Sequence, residues 1–312
     1  MRYMGIIGCG EHAKHHTLHY GGYFETYGVW DPDPEAMGKF IGKRYGRLED
    51  LLDEPEIVAV MICSPDEFHL TQIEMALAAG KHVFCEKPLL VPGEDIARLE
   101  MAFGTANASG RVLTTCHPRR HDRPILWLLE AMRRRRNDVG FLYRFGKVVS
   151  FDFDFSYHKP SNEWKYTRSL LLDHLNHEID LMNALFGIQG FDHYEVAGKR
   201  DDGITFRFRG TRRLSASVYP EWCQIRFDQG EVALDMMLGV AYISDHDKKT
   251  VEVVGGLAID YEGRLERVME DFAKSITYKE HTPYVSRQEM LMNTEAGIVL
   301  QGEGIQRIDV RP

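Results

Sequence analysis

Two side chains with complementary chemistry lie four residues apart in the second half of the sequence, Asp173 and His177. The segment around them, about 171–186, has the pattern of an amphipathic helix that ends at Gly187. Residues at i and i+4 share one helix face, with Cβ atoms about 5–6 Å apart. A carboxylate beside an imidazole orients the ring and supports its protonated form, as an acid–base group requires. An ordinary structural i, i+4 pair explains the same spacing, so both interpretations stay open on these residues alone.

A lysine with a suitable position for chemistry occurs in the first half. Lys87 follows the apolar run at 81–85, which reads as a strand of a parallel sheet. Ligands of open α/β sheets bind at the carboxyl ends of such strands. A lysine near a reacting oxygen stabilises the negative charge that develops when an alcohol is oxidised. A solvated loop lysine is the alternative, and Pro88 argues against it only by fixing the turn.

A glycine pattern follows the first apolar strand, where residues 8–13 read G-x-G-x-x-A. Gly8 permits a tight turn, and Gly10 lets the backbone approach a pyrophosphate that faces the following helix N-terminus. Asp31 ends the second strand 23 positions later (31 − 8), near the spacing at which a carboxylate binds the adenine-ribose hydroxyls. The alternatives are a plain tight turn and an aspartate in a D-P-D-P turn. Together the features predict a dinucleotide site. NAD is expected over NADP, because Asp31 repels a 2′-phosphate and no arginine immediately follows it.

The elements that must position these residues predict two domains. Strands are expected at 4–8, 26–30, 57–63, 81–85 and 111–116, alternating with helices at 34–43, 66–79 and 94–108. After residue 117 the pattern changes to many short strands of period two, separated by turn signals, with helices expected at 120–136, 171–186, 264–277 and 287–301. We therefore expect an α/β N-terminal Rossmann domain, a doubly wound parallel sheet, at 1–117. An α+β domain with a large, mostly antiparallel open sheet is expected at 118–312.

Composition narrows the function classes. The chain has 312 residues and a formal net charge of −9, which argues against a nucleic-acid-binding surface. No apolar run approaches the roughly 20 residues of a membrane helix, and a strand at the start leaves no room for a signal peptide. Five cysteines without paired spacing predict reduced thiols and a cytoplasmic protein. The histidines between residues 12 and 19 lack a matching set of partners, so no metal is expected.

Four segments, in order along the chain, resemble motifs of the Gfo/Idh/MocA oxidoreductases, the relatives of glucose–fructose oxidoreductase and inositol dehydrogenase. The run at 85–88 resembles the family's E-K-P signature, and 64–69 is similar to its T-P-N-x-x-H turn. The run at 116–120 resembles G-H-N-R-R, and 164–181 is similar to W-R…D-x-x-x-H-x-I-D. Two departures stand out: Asp66 replaces the asparagine of the turn, and Arg168-Ser169-Leu170 replaces the glycines before the aspartate.

The resemblance implies an NAD(P)-dependent dehydrogenase that acts on a CH–OH group, moving hydride between nicotinamide and a secondary alcohol of a sugar, sugar derivative or cyclitol. It implies Lys87, Asp173 and His177 as catalytic residues, with the proton carried by Lys87 or His177. The cofactor contacts that it implies are Gly8, Gly10, Glu11, His12, Asp31, Cys63, Ser64, Pro65, His69, Glu86 and Lys87. The substrate contacts that it implies are Lys87, Arg120, Lys165, Asp173, Asn176 and His177.

Two other functions use the same fold. One is a relative that keeps NAD tightly bound for transient oxidation, for example in glycoside cleavage by elimination. The other is a non-catalytic NAD-sensing regulatory protein, against which the joint presence of Lys87, Asp173 and His177 argues. The expected partners are a carbohydrate-like small molecule and further copies of the chain in a homodimer or homotetramer, with no nucleic acid or membrane.

Overall fold

The computed structural model describes residues 2–20, 22–137, 139–158, 176–186, 197–199, 205–213, 221–258, 260–281 and 283–302. The strands are β1 (Arg2–Ile7), β2 (Phe24–Trp30), β3 (Lys43–Arg44), β4 (Ile57–Ile62), β5 (His82–Cys85), β6 (Leu113–Thr115), β7 (Val148–His158), β8 (Ala197–Lys199), β9 (Thr205–Arg213), β10 (Glu221–Phe227), β11 (Gly230–Asp235), β12 (Val240–Asp245) and β13 (Thr250–Val254). The helices are α1 (Glu11–Thr17), α2 (Pro34–Met37), α3 (Leu48–Leu52), α4 (His69–Ala78), α5 (Ile96–Ala108), α6 (Arg123–Arg136), α7 (Asn176–Phe186), α8 (Tyr261–Thr277) and α9 (Arg287–Gly302).

The chain divides into two compact units. The first contains Met1–Pro118 and Tyr261–Glu295, and the second contains Arg119–Asp260 and Ala296–Pro312. This division differs from the expected one, because 261–295 joins the first unit instead of a domain at 118–312. The physical reason is the apolar face of α8, where Met269 and Phe272 are buried in one cluster with Met4 of β1 and Phe84 of β5.

The first unit has a six-stranded sheet in the order β3-β2-β1-β4-β5-β6, with every neighbouring pair parallel. This is the strand order of the doubly wound dinucleotide-binding fold, whose order reverses between β1 and β4. β4 and β5 are almost wholly buried, as strands covered on both faces must be. The expected Rossmann fold is confirmed.

One helix of this unit is much shorter than expected. The helix predicted over 34–43 ends at Met37, because Gly38 follows and the backbone at Gly42 has a φ of +129°, outside the helical region. The chain then enters β3 at Lys43, which pairs with β2 and extends the sheet.

The second unit has a seven-stranded sheet in the order β13-β12-β11-β10-β7-β9-β8. Its described pairs are antiparallel except β7 with β9, which is parallel. A parallel pair needs a crossover connection, and α7 lies in the chain between these two strands. Alternate side chains such as Phe151, Phe153 and Ile225 face α6 and α7 across a buried core. The expected open, mostly antiparallel sheet is confirmed. In the part of the chain that the structure describes, no helix has both the length and the apolar character to cross a membrane.

Candidate cofactor and catalytic site

The glycine turn after β1 has two different steric requirements. Gly8 has a φ of +86°, and a Cβ atom on it would lie 2.4 Å from the backbone nitrogen of Ser64. Only glycine fits there, because the chain after β4 passes directly against it. Gly10 is the opposite case, since no atom lies within 4 Å of the position that its Cβ would occupy. The second glycine therefore leaves open space beside the backbone, which a pyrophosphate needs.

Asp31 lies against this turn. Its carboxylate accepts a hydrogen bond from the Cys9 amide at 2.7 Å and another from the Asp33 amide at 2.8 Å. Each carboxylate oxygen has a second lone pair, so a ribose hydroxyl can still donate to it. The open space at Gly10 and the carboxylate at Asp31 together fit the phosphate and ribose parts of NAD.

The chain beyond β4 forms the next wall of the site. Cys63 continues the ladder by donating its amide to the Ile7 carbonyl at 2.8 Å, and Pro65 is exposed. The Ser64 hydroxyl donates to Gln72 of α4 at 2.5 Å, which fixes this turn to the helix behind it.

His69, also expected as a cofactor contact, lies between two backbone carbonyl oxygens. Its side chain is fully buried, and its ring nitrogens lie 2.7 Å from the Pro88 carbonyl and 2.9 Å from the Ser64 carbonyl. His69 therefore supports the two turns around the site, and its expected contact with the cofactor stays a prediction.

Lys87 is the only residue of 81–90 that is not buried. It directly follows Glu86 at the carboxyl end of β5, and its peptide bond to Pro88 is cis. In the parallel sheet β4 lies between β1 and β5, so Lys87 and the glycine turn both follow the carboxyl ends of central strands on the same side of the sheet. A single amine emerging from an otherwise buried run fits a ligand-directed side chain.

Glu86, also expected as a cofactor contact, points inward. The carboxylate lies 2.5 Å from Nε2 of the buried His16 on α1 and accepts the Lys87 amide at 3.2 Å. Burial alone would raise the pKa of Glu86, but the hydrogen bond and charge of His16 outweigh it and hold that pKa well below its ordinary value. Glu86 is therefore an internal anion beneath the site.

Among the described residues, one group of potential metal ligands comes together, formed by His16, Glu86 and Cys116. Two ligands about 2.0–2.1 Å from a tetrahedral zinc ion lie about 3.3 Å apart. His16 and Glu86 are closer than this, at the distance of a hydrogen-bonded pair. The arrangement fits a buried ion pair better than a metal centre.

Glu11 and His12 lie at the exposed start of α1, where the glycine turn ends. The Glu11 carboxylate lies 3.8 Å from Lys14, and Nδ1 of His12 lies 4.0 Å from the Glu86 carboxylate. Sequence reasoning singled out these two residues and missed His16. The sequence signal for His16 was its position three residues after Ala13, which places both residues on the buried face of α1.

In the second unit, His177 is the second residue of α7 and is half-buried. One turn later, Asp180 accepts two hydrogen bonds from the Arg120 guanidinium, at 2.7 and 2.6 Å. The Arg120 side chain is only 3% exposed. The Arg120 guanidinium thus holds the helix that carries His177, and the substrate contact expected of Arg120 stays a prediction.

Three other expected residues receive no side-chain description. Asp173 and Lys165 lie outside the described residues, and Asn176 is the first residue of α7 without a described side chain. The pairing of Asp173 with His177 remains a prediction.

Comparison with known proteins agrees with this geometry. Residues 2–116 match the model of a family described as an oxidoreductase family with an NAD-binding Rossmann fold. The chain is 40% identical over 192 residues to 1,5-anhydro-D-fructose reductase of Ensifer adhaerens, covering 58% of this chain and 54% of that protein. It is 31% identical over 115 residues to inositol 2-dehydrogenase of Ralstonia nicotianae, covering 33% and 34%. The aligned segments span about half the length of several curated relatives that the chain matches.

Solved structures show the same fold over nearly the whole chain. UDP-N-acetylglucosamine 3-dehydrogenase of Acidithiobacillus ferrooxidans superposes with a TM-score of 0.76 at 18% identity, covering 96% of this chain and 97% of that one. Biliverdin reductase of Synechocystis sp. PCC 6803, in complex with biliverdin and NADP⁺, gives 0.75 at 16% identity, covering 96% and 98%.

Proposed function

We propose that this chain, a member of the Gfo/Idh/MocA oxidoreductases through its NAD-binding residues 2–116, is an NAD-dependent dehydrogenase. The proposed substrate is a secondary alcohol of a sugar, sugar derivative or cyclitol. The observation that carries the proposal is Lys87, the one unburied side chain of 81–90, at the sheet edge that also holds the glycine turn. The names of relatives that act on an anhydrosugar and on inositol support the substrate class.

Bound NAD supplies the acceptor for the hydride that leaves the alcohol carbon. The ammonium of Lys87 stabilises negative charge on the alcohol oxygen as its proton departs. Asp31 selects NAD, because its carboxylate accepts the ribose hydroxyls and repels a 2′-phosphate.

The hydroxyl proton needs an acceptor, and we assign it to His177, with Lys87 as electrostatic aid and Asp173 orienting the ring. His177 stands in the first turn of α7, and the ion pair between Asp180 and Arg120 fixes that helix within its unit. Proton removal by Lys87 itself is the alternative assignment.

We also assign the protein to the cytoplasm and to an oligomer. All five cysteines are free thiols, which fits a reducing compartment. The outer face of the seven-stranded sheet carries Trp222 stacked on Tyr242, and Val251 and Val253 of β13 are exposed. A second copy of the chain would cover these exposed side chains. Sedimentation of the purified protein measures whether it is a homodimer or homotetramer.

The test of the reaction is absorbance at the NADH band with NAD⁺ and a panel of sugars, cyclitols and nucleotide-sugars. We expect NADH with one substrate class, and turnover lower by about 10²–10⁴ in His177→Ala, as for loss of a general base. Lys87→Ala should lose turnover in the same assay. No NADH across the panel, with NAD still bound, would reject the net dehydrogenase in favour of transient oxidation or sensing.

A further inference from the structure

Lys87 lies between two residues that are each held by a buried histidine from a different helix. The preceding residue, Glu86, pairs with His16 of α1, and the carbonyl of the following residue, Pro88, contacts His69 of α4. Both histidines are at most 2% exposed. The partly buried Lys87 therefore stands on a short segment whose two ends are each held by a buried histidine.

The His16 contact connects the lysine to the nucleotide turn. His16 is on α1, the helix that starts directly after Gly10, and its ring packs edge-on against Phe84 with centroids 5.3 Å apart. Its Nε2 lies 2.5 Å from the Glu86 carboxylate, whose residue also donates its amide to the Ile62 carbonyl at 2.9 Å. A charge-assisted hydrogen bond in a buried setting strongly restricts both partners.

The His69 contact connects the lysine to the end of β4. The ring lies between two carbonyl oxygens, those of Ser64 and Pro88, which can only accept hydrogen bonds. A neutral ring has one N–H and donates to one of these two carbonyls, whereas a ring with both nitrogens protonated donates to both. Loss of the ring therefore leaves at least one of these two carbonyls without its donor.

We propose that His16 and His69 are positioning residues for Lys87, the first through the Glu86 side chain and the second through the Pro88 carbonyl. This inference rests on the proposed function, in which the Lys87 ammonium must stand at the alcohol oxygen. Neither histidine touches the substrate. Their effect on turnover comes from the backbone of 86–88, whose displacement by about 1 Å is enough to slow a positioned reaction by about 10²-fold.

The test uses matched substitutions of buried histidines. His16→Leu and His69→Leu remove the polar contact and keep most of the volume, whereas His16→Gln and His69→Gln keep one donor. The control is His82→Leu, at the other end of β5, where the ring is also buried and its Nδ1 accepts the Val112 amide at 3.0 Å. All three leucine variants lose a hydrogen bond made by a buried histidine in the same unit, but only two of them touch the segment around Lys87.

Two measurements are made on the full chain with NAD. Amide hydrogen exchange of Glu86, Lys87, Leu89 and Leu90 should be at least about tenfold faster in His16→Leu and His69→Leu, because local opening no longer breaks the histidine contacts. It should change by less than about threefold in His82→Leu. With the substrate found above, kcat should fall about 10–100-fold in both variants while the NAD dissociation constant stays within about threefold. The glutamine variants should recover part of both losses.

Unchanged exchange at 86–90 in both histidine variants would overturn the proposal, and so would faster exchange with an unchanged kcat. An equal effect in His82→Leu would reduce the contacts to general stability and also overturn it. If a leucine variant does not fold, the glutamine variant at that position decides by the same two measurements. The exchange measurement needs no substrate, so a wild type without turnover would count against the proposed reaction while the exchange still tests the histidine contacts.

Discussion

The two units of this protein hold their polar site residues by different means. In the first unit, the turn at Gly8 is shaped by steric fit of the backbone, and the segment of Lys87 is held by buried histidines that contact the Glu86 side chain and the Pro88 carbonyl. In the second unit, the helix of His177 is held by a buried ion pair between residues 60 positions apart, Arg120 and Asp180. Its neighbour Arg119 forms a second buried pair, with Glu221, across 102 positions. Steric fit shapes the glycine turn of the first unit, whereas paired charge fixes the helix of His177 in the second.

This difference predicts different responses to substitution. A buried ion pair that loses one partner leaves an uncompensated charge, which destabilises the unit around it. A methyl group added to a glycine of the turn acts locally. At Gly8 it meets the neighbouring backbone of Ser64, and at Gly10 it meets the ligand. Four substitutions test the comparison, in decreasing order of expected effect.

The largest effect is expected for Asp180→Ala. It removes the carboxylate that receives two hydrogen bonds from the buried Arg120 guanidinium, so we expect the free energy of unfolding to fall by about 3–5 kcal/mol. Urea denaturation followed by the fluorescence of the tryptophans measures it. The matched control is Glu130→Ala, which breaks an exposed pair with Arg133 on α6 and should change little. Equal effects of the two substitutions would remove the distinction between buried and exposed pairs.

The next effect is expected for Gly8→Ala. Its φ of +86° disfavours an L-residue, and the new methyl would overlap the Ser64 backbone. We expect a loss of about 2–3 kcal/mol in the free energy of unfolding, from backbone strain and overpacking. A variant that melts like the wild type would show that the close approach of Gly8 to the Ser64 backbone adapts easily.

Sequence reasoning reached these two regions unequally, and the reason is physical. The glycine turn and the E-K-P run are each a continuous stretch of sequence with local steric demands. Gly8, Asp31 and Lys87 could therefore be assigned to the predicted site from motif and spacing. The role of Arg120 depends on Asp180, which reaches it only through folding, and an unpaired arginine in a sequence reads as exposed. The same limit hid the inward orientation of Glu86, because its partner His16 is 70 positions away.

The fold was predicted with the same unevenness. Most strands and the type of each sheet follow from apolar periodicity, which is a local signal, whereas the strand order comes from the tertiary structure. The assignment of α8 to the first unit does not follow from periodicity either, because its apolar face fits any core and only tertiary packing selects one. The short strand β3 was missed because two residues are too few to show a period.

A smaller effect, on binding alone, is expected for Gly10→Ala. The position of its Cβ is open, so the unfolding free energy should stay within about 0.5 kcal/mol of the wild type. The methyl group would occupy space that we assign to the pyrophosphate, so NADH should bind about tenfold more weakly, a change of about 1.4 kcal/mol. Fluorescence titration of NADH measures this. Unchanged NADH affinity would place the pyrophosphate elsewhere, and a large loss of stability would make the two glycines equivalent.

The smallest effect is expected for Asp31→Asn, which keeps one oxygen acceptor for the Cys9 amide and removes the negative charge. We expect NADH affinity to fall about fivefold, or about 1 kcal/mol, because a charged acceptor for the ribose hydroxyls becomes a neutral one. NADPH affinity should rise at the same time, since the repulsion of the 2′-phosphate is gone. Titration of both nucleotides against wild type and variant separates the two contributions. A wild type that binds NADPH more tightly than NADH would contradict the selection of NAD by Asp31, whatever the variant does. Parallel losses for both nucleotides would show that Asp31 acts only through its bonds to the glycine turn, as a structural group of the kind that Asp180 represents in the second unit.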